Sequence, residues 1–451
     1  MITRDLVRLG WPVLVAQVAV MLYGVIDTIM AGRYGTTDLA AVGIGASIYI
    51  TVFITFMGVL LALTPVAAQL NGAGKFGEIG EQVRQCAWLG VVLSAAAILV
   101  MHRPDPFFLV TQAPVEVEAK ARSYLAMIAW GVPALLFFRV FNAFSTAVSR
   151  PRVVMFFNLA GLALKVPLNW VFMYGNLGAP ALGGTGCALA TTIIAWLTCL
   201  GAWAFCALEP GYRPYRVFAH WSWPKWAPIR HLLAVGLPIG MTFLVDVTAF
   251  TFMTLFIARL GEVNSAAHQI AANFAALTFM LPLALGNAAS VLVGQAIGAG
   301  DPARARATGF VALAIACALS VVFALAMFVF RDGVAALYSA DAAVRASAAY
   351  LLAFVAGYHL ADALQAVAIN VIRGYKRTFV PMVIYTIALW GVGLAGGYLL
   401  GLTAIVVQPM GAAGFWTAAI ASLAIAGALV LGYFDAVSRK ALAVRDRKSV
   451  V

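Results

Sequence analysis

Hydrophobic runs dominate this chain and set its plan. Residues 7–32, 39–70, 83–102, 124–148, 153–175, 184–208, 231–258, 267–297, 306–330, 346–373, 379–405 and 411–435 are overwhelmingly apolar, and each run closes on Gly, Pro or charge. Segments of about 20 apolar residues cross a bilayer as helices, whereas barrel strands are short and alternate polar with apolar positions. The pattern therefore predicts an all-α integral membrane protein with twelve transmembrane helices and excludes a β-barrel. The first run begins at Leu6, has no small-residue cleavage site and is too long for a signal-peptide core, so it reads as a mature first helix.

The pattern is also written twice. Shifting Leu9–Gly74 forward by 226 residues superposes it on Val235–Gly300 without a gap, with 15 identities in 66 positions. The clearest block is Gln69–Gly74 against Gln295–Gly300, and the openings Gly10-Trp11-Pro12 and Gly236-Leu237-Pro238 also match. Duplication of this kind predicts two pseudo-symmetric six-helix bundles, a frame that membrane transporters use to enclose a central path. We expect an N-terminal lobe over 1–208, a cytoplasmic linker over 209–230, a C-terminal lobe over 231–436 and a basic tail over 437–451. The polar linker carries Trp221, Trp223 and Trp226, which suit anchoring at headgroup level. Loop 103–123 is the longest outer loop and reads as a solvated cap.

Only 10% of the 451 residues are charged, yet the net charge is +12. Assigning loops alternately to two sides puts twenty of the 29 Lys and Arg on the side that holds both termini and seven on the other; Arg139 and Lys165 remain inside spans. The positive-inside bias then places both termini in the cytoplasm and attributes the basic excess to topology and anionic lipid headgroups, not to nucleic acid. The five cysteines stand singly within runs and form no CxxC pair, as small buried residues do.

Charges inside apolar runs are costly and usually functional. Asp27 lies in the first run, with Lys165 and Arg139 in the same half; pairing for structure and coupling to function are both open for Lys165, while Arg139 reads as structural. In the second half, Asp246 lies in the seventh run and Asp362 in the tenth, with Tyr358 one turn before it and Gln365 nearly one turn after. No basic residue is expected inside the spans of that half. Two buried carboxylates without a counter-ion do not both stay ionised: one takes a proton, a cation sits between them, or both serve as protonated hydrogen-bonding glue. No HExxH, GxSxG or GxxxxGK[ST] motif occurs, and the five histidines are scattered, so neither an intramembrane enzyme nor an ATP-driven pump is expected.

With these residues in view, the chain resembles the multidrug and toxic compound extrusion (MATE) transporters, NorM branch. The resemblance rests on the paired openings, Val25-Ile-Asp-Thr-Ile-Met-Ala-Gly32, Pro65–Gly74, Val245-Asp-Val-Thr-Ala-Phe250 and Asp362-Ala-Leu-Gln with Arg373-Gly-Tyr-Lys376, in that order over roughly 5–435. It implies a monomeric, polyspecific antiporter in a bacterial inner membrane. Such an antiporter expels cationic amphipathic compounds in exchange for Na⁺ or H⁺, needs no cofactor, and rocks two lobes arranged as a V. It implies that Asp27, Asp246 and Asp362, with Tyr358, Lys165 and Asn169 beside them, serve ion coupling, Asp246 and Asp362 being the pair that would hold Na⁺. It implies Ser47, Phe250, Gln269 and Asp341 as substrate contacts. Two departures stand out: the branch usually has Glu at Asp246 and Asn at Lys165. A lysine there is placed to act as a tethered cation for Asp27, which favours the second lobe as the coupling site. A flippase for lipid-linked precursors is the alternative on the same plan, but it would line its cavity with several cations for a pyrophosphate.

Overall fold

The computed structural model describes residues 1–111, 114–405 and 407–449; the last two residues of the expected basic tail, and 112–113 of the outer loop, lie outside them. Among the described residues every regular element is helical. In chain order the α-helices are α1 Ile2–Tyr34, α2 Thr36–Leu60, α3 Leu63–Gly72, α4 Phe76–His102, α5 Asp105–Thr111, α6 Val115–Ala129, α7 Val132–Ala147, α8 Pro151–Tyr174, α9 Gly184–Leu208, α10 Trp226–Ala258, α11 Glu262–Gly298, α12 Pro302–Tyr338, α13 Ala342–Gly374, α14 Phe379–Thr386, α15 Gly396–Leu402 and α16 Ala412–Ser449. Eleven helical segments are long and apolar enough to span a membrane. The pair α6 and α7, bent by 47° across Trp130–Gly131, makes the twelfth, so each expected run has its helix. Pro133 at the start of α7 explains the break, because its ring cannot continue the preceding hydrogen-bond ladder.

The chain divides into two compact units, Val15–Gly240 and Met1–Leu14 with Met241–Val451. These bounds differ from the expected lobes at the first helix of each repeat. The opening of α1 packs in the unit formed by the second half, where Gly10 lies 3.8 Å from the Ala288 methyl, measured from an added Cβ. The opening of α10 packs in the first unit, where a Cβ on Gly236 would overlap the Val59 carbonyl. Hydropathy locates a helix but says nothing about which bundle receives its end.

The first unit is built on large buried side chains, among them Leu60, Leu63, Ile79, Phe141 and Phe144. Its linker segment is folded onto it. A 3₁₀ turn over Pro210–Tyr215 buries Tyr212, whose hydroxyl pairs with Ser145 at 2.6 Å. Burial pushes the Tyr212 phenol up to about 12, against the opposing effect of the Ser145 hydrogen bond, so it stays neutral. Glu81 on α4 accepts from Ser222 at 2.7 Å and Arg84 at 2.8 Å and meets Lys225 at 3.0 Å; Arg84 in turn donates to the carbonyls of Arg216 and Val217 at 2.9 Å.

In the second unit, α13 packs against α11, α12 and α16 and is the central helix. Trp416, Phe415 and Phe434 of α16 are fully buried. The run expected as one helix over 379–405 is instead α14, a π-helical stretch over Ile387–Ala395, and α15. Gly391 and Gly393 within the π-helical stretch, and Gly396 and Gly397 just after it, impose little side-chain crowding on the wider winding.

The duplication is visible in the backbone. After α3, Ala73, Gly74 and Lys75 donate to Gln69, Asn71 and Leu70; after α11, Ala299, Gly300 and Asp301 donate to Gln295, Ile297 and Ala296. Gly74 and Gly300 adopt φ of 71° and 72°, the left-handed cap conformation that glycine takes at little cost.

Candidate functional site

Two polar constellations lie within these helices. In the first unit, α1 brings Asp27 against α8. Asp27 Oδ1 meets Lys165 Nζ at 2.7 Å and accepts from Asn169 Nδ2 at 2.7 Å. Lys165 and Asn169 are one turn apart on α8 and both are completely buried. The ammonium also contacts Thr191 Oγ1 and the Cys187 carbonyl, at 3.4 Å, on α9. Tyr23 and Tyr174 secure α1 to α8 through hydrogen bonds to the carbonyls of Asn158 and Met30, at 3.1 and 3.0 Å. The second cation of this half, Arg139, lies with its guanidinium 5.9 Å from the centre of the Phe53 ring.

In the second unit, Asp246 of α10 and Asp362 of α13 line one cavity of about 390 Å³. Tyr358, Phe250 and Gln365 line it too, and Phe250 and Tyr358 meet edge to face at 6.1 Å. Trp416 backs Tyr358 at 5.4 Å and His268 backs Trp416 at 5.8 Å. Thr254, also in the lining, hydrogen-bonds with His268 at 3.0 Å. Apolar walls with a few convergent polar groups are typical of small-ligand sites, and the volume is within their range.

Two residues in this lining carry no strong sequence signal. Tyr385 of α14 donates to Asp246 Oδ1 at 2.6 Å. Arg373, at the end of α13, is only 8% exposed, donates to Asn370 Oδ1 at 3.1 Å and stacks over Phe243 at 5.6 Å. This corrects the expectation that the second half holds no basic residue inside its spans. Arg373 closes an apolar run and so reads as a headgroup contact, whereas α13 continues to Gly374 and the Arg373 side chain, directed back along the helix, lines the cavity. Among the described residues no three His, Cys, Asp or Glu side chains group as a metal centre. A cation at Asp246 and Asp362 would have to draw its remaining ligands from hydroxyl and carbonyl oxygens.

The other residues named from the sequence lie elsewhere. Ser47 is exposed on α2 and donates to the Gly43 carbonyl at 2.8 Å. Gln269 is exposed on α11, where its amide faces Asn273 at 3.4 Å. Asp341 caps α13, accepting from the backbone of Ala343 and Val344 at 2.8 and 2.9 Å. Neither Gln269 nor Asp341 belongs to the cavity lining.

Comparison with known proteins agrees with this architecture. The MatE family profile matches residues 12–171 and 238–399, once in each half of the chain. A probable multidrug resistance protein NorM from Aromatoleum aromaticum is 41% identical over 421 residues, which are 93% of this chain and 91% of that protein. One of the same name from Neisseria meningitidis serogroup B is 39% identical, over 99% of this chain and 96% of that one. The multidrug resistance protein MdtK of Pectobacterium atrosepticum is 38% identical, over 95% and 94%. Among solved structures, a MATE transporter in complex with MaD3S superposes with a TM-score of 0.89 at 18% identity, covering 98% of this chain and 97% of that one. A eukaryotic MATE transporter, AtDTX14, superposes with a TM-score of 0.86 at 19% identity, covering 99% and 98%. These last two show the shared fold. The matching profile in both halves, the relatives along nearly the whole length and the twelve-span fold together identify the chain as a member of the MATE family, a NorM-like multi-pass membrane transporter and not an enzyme.

Proposed function

We propose that this protein is a multidrug efflux antiporter of a bacterial inner membrane, exchanging cationic amphipathic compounds for Na⁺ or H⁺ by alternating access, with Asp246 and Asp362 as the coupling carboxylates. The observation that carries this reading is their presence in one largely apolar cavity with Tyr358 and Phe250. Two carboxylates in low dielectric repel, so a positive passenger relieves a real electrostatic cost there. A cation bound to the carboxylates stabilises a state with weaker drug affinity, and the drug leaves outward. Release of the cation into the cytoplasm restores the charge that binds the next drug. Coupling is then the difference between the affinities of two states for two cations. The rings of Phe250 and Tyr358 offer flat apolar faces to passengers of varied shape and attract positive charge.

The test is dye efflux from proteoliposomes under separately imposed Na⁺ and H⁺ gradients. Efflux driven by at least one gradient, and lost in Asp246→Asn and in Asp362→Asn, is expected. Unchanged ion-driven efflux in both variants would remove these carboxylates from the mechanism.

A further inference from the structure

The first unit already contains the cation that its carboxylate needs, and that cation is covalently attached. Lys165 Nζ has zero exposure and lies among three oxygens: Asp27 Oδ1 at 2.7 Å, Thr191 Oγ1, and the Cys187 carbonyl at 3.4 Å. A carboxylate, a hydroxyl and a main-chain carbonyl are the hard donors that an alkali cation takes. Asn169 borders the cage: its Nδ2 donates to Asp27, while its Oδ1 is buried with no hydrogen-bond partner. An orphaned buried acceptor beside a filled oxygen cage calls for a reason. It is accounted for if the cage is suited to a small cation and the ammonium, fixed by its stem on α8, spends its three N–H groups on Asp27, Thr191 and Cys187 and leaves the Asn169 oxygen unused.

We propose that Lys165 permanently occupies a monovalent-cation position in the first unit, so that this unit binds no exchangeable ion and coupling runs through the Asp246–Asp362 cavity alone. The second clause rests on the function proposed above; the first does not. Its physical basis is the tether. A free ion must displace an ammonium whose stem holds it in place, and removing one partner of a buried pair leaves an uncompensated charge. Thr191 reinforces the arrangement, since its hydroxyl also donates to the Cys187 carbonyl at 2.8 Å and holds two of the cage oxygens together.

The experiment uses purified full-length protein carrying Asp246→Asn and Asp362→Asn, which silences the second unit, with radiolabelled Na⁺ as the probe. With Lys165 in place, no Na⁺ binding that depends on Asp27 is expected. With Lys165→Asn or Lys165→Gln added, binding of roughly one Na⁺ per molecule appears and is abolished by Asp27→Asn. Two results overturn the proposal: Asp27-dependent binding while Lys165 is present, or no gain of binding in either Lys165 variant that elutes as a monodisperse species. A companion measurement does not depend on Lys165 variants of that background folding. In otherwise unaltered protein, Asp27→Asn with Lys165→Met removes both charges together, and the ion dependence of dye efflux should shift by less than about twofold. Loss of that ion dependence would place an exchangeable ion in the first unit. If the unaltered protein shows no ion dependence at all, the proposed antiport fails, while the Na⁺-binding result still decides the occupancy of the cage.

Discussion

Tyr385 shows how a single hydroxyl would tune the proposed coupling site. Its O–H donates to Asp246 Oδ1 at 2.6 Å, so it favours the ionised form of that carboxylate and would compete with an arriving cation for the same oxygen. Tyr385→Phe keeps the ring and removes the competitor. Hydrogen bonds to charged groups contribute about 1.5–3 kcal/mol, so the half-saturating concentration of the driving ion should fall by about tenfold or more while the maximal rate changes little. Ion titration of dye efflux reads this directly; an unchanged half-saturating concentration would show that the bond is not made in the ion-accepting state. Neither Tyr385 nor Arg373 stands out in the sequence, and for different reasons. A tyrosine in an apolar run is ordinary, and an arginine at the end of one looks like a headgroup contact. Asp27, Asp246 and Asp362 were legible because a carboxylate in an apolar run has few reasons to be there except protein neighbours or water. The pairing of Asp27 with Lys165 was open in the sequence and needed the crossing of α1 with α8 to decide it.

Between residue and bundle, helix approach controls which side chains meet. At Gly186 on α9, a Cβ would overlap the carbonyl of Phe172 on α8, so glycine sets the spacing at which Thr191 and Cys187 reach Lys165. Gly186→Ala should destabilise the protein by about 1–3 kcal/mol through overpacking. Gly43→Ala, within α2 where nothing lies within 4 Å of an added Cβ, should be neutral or slightly stabilising. Thermal unfolding in detergent separates the two. A second test concerns the linker, which hydropathy marks only as polar and proline-rich. The structure gives it a fixed course along α4, held by Glu81. Glu81→Gln weakens several charge-assisted bonds at once, and tryptic cleavage after Arg216 or Lys225 should quicken by about tenfold, a cost near 1.4 kcal/mol. An unchanged cleavage rate would mean that backbone and tryptophan contacts alone hold the segment. Spans were legible because burial in lipid demands length and hydrophobicity; the π-helical stretch after Tyr385 was not, because winding depends on local crowding that hydropathy does not record.

For the molecule entire, the repeated frame and the unequal distribution of charge combine into a topology. Twelve crossings return the chain to the side where it began. The caps at Gly74 and Gly300 take the same form in the two halves, whereas the polar chemistry differs: Lys165 meets Asp27 in one, and Asp246 shares a cavity with Asp362 in the other. The excess of Lys and Arg on one set of loops then predicts that both termini face the cytoplasm. Two positions test it on opposite sides. Ala340, exposed between α12 and α13, belongs to the outer set, and Lys440, exposed near the end of α16, to the inner one. Native cysteines are first replaced; Cys86, Cys187, Cys199 and Cys206 are buried and only Cys317 is exposed, so alanine at these sites removes little else. A membrane-impermeant maleimide should then label Ala340→Cys in intact cells and Lys440→Cys only after permeabilisation. The reverse pattern would invert the molecule and, with it, the direction of the proposed exchange, because in that scheme a cation driven inward expels its counter-passenger only if the drug-loading state opens to the cytoplasm.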